Sequence, residues 1–408
     1  MSHTLVFNCG SSSLTYKVFR DVPSSPPEVV LHGKAHRVGV KGSEPSYIEN
    51  RYGGTVHKDI VPIKDHRKAA ALAIEFVEKM SIPVDHVGHR FVHGGSRFTG
   101  SLFLDEKVLK ALQECAPLAP IHNPIALSVI RESRKSIPLE RHYITFDNAF
   151  HSTLPPRAYA YMLPKAILEK FGFRKYGFHG LSYSFVVGET ARFLGADPGT
   201  LRIVACHLGT GGSSVAAILG GRSIDTSMGF SPLTGLVMGT RSGDIDPLLT
   251  VYLMAVYGYR PDDLLDFLNK KSGLLGISGF SSDINDIIRR IGGGEDNAEL
   301  AVRMYVHRLK KYIGSYIAAL GGIDALVFTD EIGLRNPFIR EKVCDGMDWA
   351  GITLDKGLNA AAPVDRISDL RAPGSRVSIL AIPTEEELVI YLGGARLFAD
   401  KEATRAAH

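Results

Sequence analysis

The sequence predicts an α/β protein built from two copies of one unit, and three observations carry that prediction. Apolar runs of period two alternate along the chain with amphipathic stretches of helical period. The length of 408 residues exceeds the roughly 250–300 at which a single core stops growing. A strand, a Gly/Ser turn and a second strand occur near the N-terminus and recur near the middle. Aligning Gly10-Ser-Ser-Ser-Leu14 with Gly211-Gly-Ser-Ser-Val215 places the repeat at an offset of 201, close to half the chain. The expected domains are residues 1–150, joined by a C-terminal helix 384–408, and residues 151–383.

In chain order, Thr4–Phe7 and Leu14–Arg20 read as strands around the turn Asn8-Cys-Gly-Ser-Ser-Ser13. Lys68–Met80 and Glu106–Cys115 carry one apolar face each and read as helices. Pro117-Leu-Ala-Pro-Ile-His-Asn-Pro124 reads as a proline-punctuated loop, and Tyr143–Phe146 as an apolar strand ending at Asp147. The second copy opens with Arg202–His207, the turn Leu208–Ser214 and Val215–Leu219. Ala298–Leu320 is a long helix stopped by Gly321-Gly322. A strand Ala325–Thr329, a turn over Asp330–Asn336 and a strand Val377–Ile382 follow. Thr384-Glu-Glu-Glu387 has capping-box spacing and opens the last helix.

Composition excludes several classes. Forty-seven basic against 43 acidic residues, scattered along the chain, do not make a nucleic-acid footprint. No apolar run reaches the roughly 18 residues of a membrane helix, and the N-terminus MSHTLVFNCG has no signal-peptide pattern. Cys9, Cys115, Cys206 and Cys344 are far apart with no CxxC pair, which suits a reducing cytoplasm better than a disulfide framework or zinc site.

The candidate site residues lie in turns. Glycines let backbone N–H groups converge on an anion, and serine hydroxyls add donors, so paired Gly/Ser turns suggest phosphate binding; either turn alone reads equally as an ordinary hairpin. Arg90, in Gly88-His-Arg-Phe-Val-His-Gly-Gly95, and Arg241, in Met238-Gly-Thr-Arg-Ser-Gly-Asp-Ile-Asp246, sit among glycines. Arginines there suit bidentate recognition of carboxylate or phosphate, or simply form surface ion pairs. Asp147 closes a strand, where α/β folds place ligand-facing carboxylates. His179 lies in Tyr176-Gly-Phe-His-Gly180 and His122 in the proline-rich loop. A lone histidine is more often structural; grouped with Asp147 and two arginines these two gain weight.

Together these segments resemble the acetate kinase (acetokinase) family. The match runs in family order from Asn8-x-Gly-Ser-Ser-Ser13 through Gly88–Gly95, Leu118–Pro124, Phe146-Asp-x-Ala-Phe-His151, Tyr176–Gly180 and His207-Leu-Gly. It continues through Asp225-Thr-Ser-Met-Gly-Phe-Ser-Pro232, Gly235–Pro247, Lys271-Ser-Gly-Leu-Leu-Gly276 and Glu386-Glu387-Leu388. The resemblance implies two duplicated domains of the actin, hexokinase and heat-shock type around a central cleft, a homodimer through the second domain, and reversible phosphoryl transfer to a short-chain carboxylate. It implies that Asn8 and Glu386 position Mg²⁺, and that Arg90 and Arg241 hold acetate and the moving phosphoryl group. Asp147 would orient Arg90 or act as an acid/base. His179 would stabilise the phosphoryl group, with His122 in support. Val92, Ile121, Phe178 and Pro232 would enclose the acetate methyl. Ser11, Ser13, Thr15, His207, Gly209, Thr210 and Gly211 would serve the phosphates, and Asp283, Asn285, Glu331 and Gly333 the nucleoside.

The departures from the family pattern cluster on the nucleotide. The lysine expected after the first turn is Thr15, with Lys17 nearest; the asparagine of the second turn is Thr210. Asn285 stands where the family has arginine, Glu331 where it has glycine, Tyr183 where it has histidine, and Asn148 where it has threonine. A carboxylate at Glu331 adds bulk and repels a polyphosphate. This pattern resembles the pyrophosphate-type branch of the family. The expectation is an acetate kinase that exchanges its phosphoryl group with pyrophosphate and phosphate. The alternatives are an ATP-dependent acetate or propionate kinase and an inactive relative that binds acyl phosphates.

Overall fold

The computed structural model describes residues 2–40, 42 and 44–406, without the side chains of 405 and 406. The chain divides into two compact units, Met1–Ala149 with Glu385–His408, and Phe150–Thr384.

The first unit holds eight strands: β1 (His3–Cys9), β2 (Ser13–Arg20), β3 (Glu28–His36), β4 (Tyr47–Tyr52), β5 (Thr55–Ile60), β6 (His86–Phe91), β7 (Leu102–Phe103) and β8 (His142–Phe146). Their spatial order is β5-β4-β3-β2-β1-β6-β8-β7. β1 is antiparallel to β2 and parallel to β6, and β6 is parallel to β8. The parallel centre is buried on both faces, so β8 carries no exposed position, and even its polar His142 and Thr145 are buried. Helices α1 (His66–Lys79), α2 (Glu106–Glu114) and α3 (Asn123–Ser133) complete the unit with the C-terminal helix Glu386–Ala406. Asp65 caps α1 by accepting from the Lys68 amide at 2.8 Å, and Asp105 caps α2 through the Val108 amide at 2.6 Å.

The second unit holds β9 (Arg202–Leu208), β10 (Ser213–Leu219), β11 (Arg222–Thr226), β12 (Ala325–Thr329), β13 (Ser368–Asp369) and β14 (Ser378–Ala381), in the order β11-β10-β9-β12-β14-β13. Its main helices are α4 (Gly180–Leu194), α5 (Pro247–Tyr257), α6 (Pro261–Lys270), α7 (Asp296–Leu320), α8 (Asp330–Arg335) and α9 (Pro337–Cys344); the last helix, Glu386–Ala406, is α10. Strand periodicity sorts the core into two faces. Val204, Cys206 and Leu208 pack in one cluster with Tyr305, Leu309 and Ile313 of α7. Ile203 and Ala205 pack in the other with Tyr183 and Val186 of α4.

The two sheets share one plan. In each, a hairpin strand runs antiparallel to a central strand, which is followed by two parallel neighbours: β3-β2-β1-β6-β8 and β11-β10-β9-β12-β14. This is an α/β fold with the same sheet plan in both units. The repeat offset differs from the sequence alignment. The last paired residues are Cys9 with Leu14 and Leu208 with Ser213, so Cys9 corresponds to Leu208, an offset of 199. The amide of Gly10 donates to the Ser13 carbonyl at 2.9 Å, and that of Gly209 to the Gly212 carbonyl at 3.1 Å. A slip of two residues keeps every side chain on its face, so alternation alone cannot detect it.

Three further expectations change. Asp330–Asn336 is not a turn: α8 occupies Asp330–Arg335, entered through a left-handed Asp330 at φ 64°. The proline-rich loop is shorter than read, because α3 starts at Asn123 and Pro124 lies in its first turn, where a missing N–H is harmless. The capping box does not form. The Thr384 hydroxyl is buried without a hydrogen bond among the described residues, and Glu387 turns to Asn8.

Candidate active site

In the first unit, the ends of β1, β6 and β8 and the start of α10 bring four polar residues together. Arg90 Nε donates to Asp147 Oδ2 at 3.1 Å and its Nη2 to the same oxygen at 2.5 Å. Arg90 Nη1 donates to Asn8 Oδ1 at 2.9 Å and lies 3.7 Å from Glu386 Oε2. Asn8 Nδ2 donates in turn to Glu386 Oε2 at 3.0 Å and Glu387 Oε1 at 2.8 Å. Burial opposes the charge of Arg90, but Asp147 and then Glu386 outweigh it and hold its pKa above the ordinary arginine value. Asp147 is 1% exposed, and its Oδ1 makes no hydrogen bond among the described residues.

Sequence reasoning gave no site role to Glu387 or Lys17 in this network, or to the neighbouring Asn148. Lys17, 7% exposed, pairs with Glu385 and lies 3.4 Å from Glu387. Strand alternation puts it on the face of Thr15, which pairs with Asn8 in register. Asn148 accepts from the Gly94 amide and donates to the Gly95 carbonyl, both at 2.9 Å, and so straps the turn after Arg90. His122 is the N-cap residue of α3, preceded by the half-exposed Ile121, while Val92 is buried. Ser11 is exposed and Ser13 partly buried at the start of β2.

In the second unit, His179 stands at the N-cap of α4 in a left-handed conformation, φ 59° and ψ 26°. A non-glycine residue held there carries strain of order 1–3 kcal/mol. His179 Nδ1 is 2.8 Å from Ser214 Oγ, which is 2.5 Å from the Tyr183 hydroxyl. Burial raises the Tyr183 pKa, so the phenol stays protonated. The imidazole of His207 stacks on His179 at a centroid distance of 4.0 Å. Its Nδ1 is 2.9 Å from Ser182 Oγ and its Nε2 3.1 Å from Asp330 Oδ2. A Cβ on Gly209 would meet the Asp330 carboxylate, and one on Gly212 would lie 3.3 Å from Arg241 Nη1 and 3.6 Å from His179 Nε2. The second turn therefore needs glycine for close approach.

Arg241 contrasts with Arg90. Its Nη1 donates to the Pro232 carbonyl at 3.2 Å and approaches the Met238 sulfur at 3.9 Å. No carboxylate among the described residues lies within ion-pair distance, and burial alone lowers its pKa. Phe178 is buried and Pro232 partly so. The expected methyl-pocket residues thus divide between the units, Val92 and Ile121 in the first, Phe178 and Pro232 in the second.

The nucleoside-side residues have local partners. Thr210 Oγ1 donates to Glu331 Oε2 at 3.1 Å. Asp283 caps a short helix through the Asn285 amide at 2.8 Å, and Asn285 Oδ1 accepts from Asn336 at 2.9 Å. The Gly333 carbonyl accepts from Arg340 at 2.8 Å. Arg340 is 1% exposed and its pKa is lowered to about 10 by burial. For a metal, Asn8 and Glu386 supply hard oxygen donors, while no group of three or more His, Cys, Asp or Glu among the described residues could hold an ion. That donor set fits Mg²⁺, which takes one or two protein ligands and keeps waters or phosphate oxygens, better than a cation needing a full protein cage.

A model of the acetokinase family matches residues 3–392. The acetate kinase of Pseudothermotoga lettingae is 44% identical over 393 residues, covering 95% of each chain. The crystal structure of acetate kinase from Entamoeba histolytica matches with a TM-score of 0.87 at 43% identity, covering 98% of this chain and 100% of that one. A propionate kinase from Francisella tularensis matches with a TM-score of 0.86 at 32% identity, covering 96% and 99%. The family-model match over residues 3–392 and the 44% identity over 95% of the chain show that this chain belongs to the acetokinase family and is a phosphotransferase acting on a carboxyl group.

Proposed function

We propose that the protein is an acetate kinase whose phosphoryl partner is inorganic, pyrophosphate and phosphate in place of ATP and ADP. The observation that carries this reading is the Thr210–Glu331 hydrogen bond of 3.1 Å. It ties the second phosphate turn to the start of α8 and sets a carboxylate beside the turn, where a nucleotide would need to continue toward its ribose. Asn285, engaged with Asn336, offers no cation in compensation. An ATP-dependent acetate or propionate kinase is the second reading, favoured by the His207-Leu-Gly turn and by the likeness to a propionate kinase. Retention of Arg90, Asp147, His179 and Arg241 argues against an inactive acyl-phosphate binder.

The chemistry follows from charge. Acetate is ionised at neutral pH and needs no general base. A carboxylate oxygen attacks phosphorus, the bond to the donor's bridging oxygen breaks, and the leaving phosphate takes the electron pair. Nucleophile and phosphoryl group are both anionic, so catalysis is alignment and charge neutralisation. Arg90, fixed by Asp147 and Asn8, presents a preset cation to the carboxylate. Arg241 takes the phosphoryl oxygens. A donor order from Tyr183 to Ser214 to His179 Nδ1 leaves the proton on His179 Nε2, where it donates to the phosphoryl group. His122 supports that charge. Val92, Ile121, Phe178 and Pro232 receive the acyl methyl, and Ser11, Ser13, Thr15, His207, Gly209, Thr210 and Gly211 serve the donor phosphates. Asp283, Asn285, Glu331 and Gly333 act structurally in this reading. Asn8 and Glu386 would hold Mg²⁺, which supplies charge neutralisation on the phosphates when bound.

A homodimer is part of the proposal. α5 is apolar around its circumference yet exposed, with Leu248 at 70% and Tyr257 at 66%, a surface of the kind protein interfaces cover. Replacing Leu249 and Tyr252 by glutamate should give monomers in sedimentation; an unchanged dimer would place the interface elsewhere. The four free, buried cysteines favour a cytoplasmic site, and no described helix is long and apolar enough to cross a membrane.

The donor is tested by consuming acetyl phosphate with phosphate or with ADP. Phosphate-dependent turnover well above ADP-dependent turnover is expected, with Glu331→Gly shifting the ratio toward ADP. Strong ADP-dependent turnover with none on phosphate overturns the donor assignment.

A further inference from the structure

The second unit carries a groove of about 780 Å³, lined by none of the candidate site residues, between α7, α9 and the segment before α7. Its floor is apolar, with Val302, Val306, Ile291 and Phe338. Around that floor stand Arg303, Lys310, Lys311 and Lys342, with Glu299 as the one acidic residue. None of these five forms an ion pair within 4 Å among the described residues, whereas about half of the arginines and some of the lysines elsewhere do. Lys310 donates to the Asp345 carbonyl, and the Lys342 ammonium lies 5.6 Å from the centroid of the Phe338 ring. In a chain with 47 basic and 43 acidic residues, four cations gathered on one apolar floor are a local departure.

A charged run on a helix face is usually solvated, and Arg303, His307 and Lys311 follow one face of α7 at helical spacing. A solvated face alone has no concavity beneath it. Here the volume lies within the roughly 300–1,000 Å³ of small-molecule sites, which combine an apolar lining with a few polar groups. Four like charges against a single carboxylate raise the local potential and select an anion. The apolar floor selects a ligand with a flat or apolar body, and the ring of Phe338 offers a stacking face.

We propose that this groove is a second, non-catalytic ligand site for an aromatic polyphosphate, a nucleoside triphosphate in chemical class. Its ring packs on Phe338 and Val306, and its phosphates meet Arg303, Lys310, Lys311 and Lys342. The proposal is independent of the phosphoryl donor, because none of these residues belongs to the catalytic set.

The test uses the purified full chain, with ATP and inorganic tripolyphosphate as probes in equilibrium dialysis at low salt. ATP should bind, tripolyphosphate should bind at least several-fold more weakly, and Lys311→Glu with Lys342→Glu should cut ATP affinity on the order of tenfold or more. Phe338→Ala should weaken ATP while leaving tripolyphosphate unchanged. Acetyl phosphate turnover without ATP should be unaltered in the lysine variants, which shows that they fold. ATP binding that survives Lys311→Glu with Lys342→Glu but disappears in Arg241→Leu belongs to the catalytic site and overturns the proposal. Equal binding of tripolyphosphate and ATP, or no binding of ATP at all, overturns it too.

Discussion

Arg90 and Arg241 are both partly buried arginines in glycine-flanked segments, yet their surroundings oppose each other. Arg90 meets Asp147 at 2.5 Å, Asn8 at 2.9 Å and Glu386 at 3.7 Å. Among the described residues Arg241 meets a carbonyl at 3.2 Å and a sulfur at 3.9 Å and no carboxylate. Its pKa is lowered by burial, while that of Arg90 is raised by acids despite burial. A buried cation compensated within the protein is a positioning device. One left without an acid is a site prepared for an anion, because a bound phosphoryl group restores what desolvation removed. The first unit presets geometry; the second reserves charge.

The largest effect expected from this comparison is on turnover. Arg90→Leu and Arg241→Leu should each lower kcat by roughly 10²–10³-fold or more, the scale of losing a charge-stabilising donor. Their stabilities should part. Arg90→Leu strands the Asp147 carboxylate and should destabilise by about 3–5 kcal/mol, whereas Arg241→Leu replaces an uncompensated charge and should be neutral or stabilising by about 1–4 kcal/mol. Equal losses in urea titrations would break the contrast.

Next in size, Gly212→Ala puts a methyl 3.3 Å from Arg241 Nη1 and 3.6 Å from His179 Nε2. It should reduce kcat by about 10–100-fold with little change in fold stability, since displacing a reacting geometry costs far more in rate than in packing. Equal activity would show that the turn does not set the position of either group. Ser214→Ala should cost about tenfold in kcat and alter the pH–rate profile by freeing the His179 tautomer, on the usual scale of proton-positioning effects; an unchanged profile would remove Ser214 from the relay.

Acid sensitivity is expected to come from structural histidines. Burial holds both His142 and His151 down to about 4. Their folded pKa values lie below the unfolded value near 6.5. Above pH 6.5 neither state binds these protons. Between pH 6.5 and 4 the unfolded chain binds protons the folded chain refuses, so stability falls across that window. Each contributes up to about 3 kcal/mol of loss. Chemical denaturation at pH 7, 5.5 and 4.5 should show it, with His142→Asn flattening the decline; a flat profile in the parent protein would contradict it.

Much of the fold was legible in the sequence, and the proposed site residues stood out because they sit among glycines, several of them where strands end. Asn8, Arg90 and Asp147 fall at such ends, while His179 opens α4 and Arg241 lies in the glycine-rich loop between β11 and α5; strand alternation located β1, β2, β9, β10 and β12 within one or two residues. The misses have a shared cause: they depend on distant partners. Gly333 made Asp330–Asn336 look like a turn, but Arg340 takes the Gly333 and Leu334 carbonyls and secures α8. Glu387 has capping-box spacing, yet Asn8, 379 positions away, is its hydrogen-bond partner. The slip from 201 to 199 was invisible because two residues preserve facing. Ser214 and Tyr183 became informative only when His179 was found beside them.

The contrast between the arginines is tested most directly by urea unfolding with and without saturating phosphate, comparing the parent protein with Arg241→Leu. Phosphate at about a hundred times its dissociation constant should raise parent stability by about 2.7 kcal/mol. The Arg241→Leu protein should be at least as stable as the parent without phosphate and should gain nothing from it. A variant that is less stable alone yet keeps the full phosphate gain would contradict the assignment of Arg241 as the reserved cation.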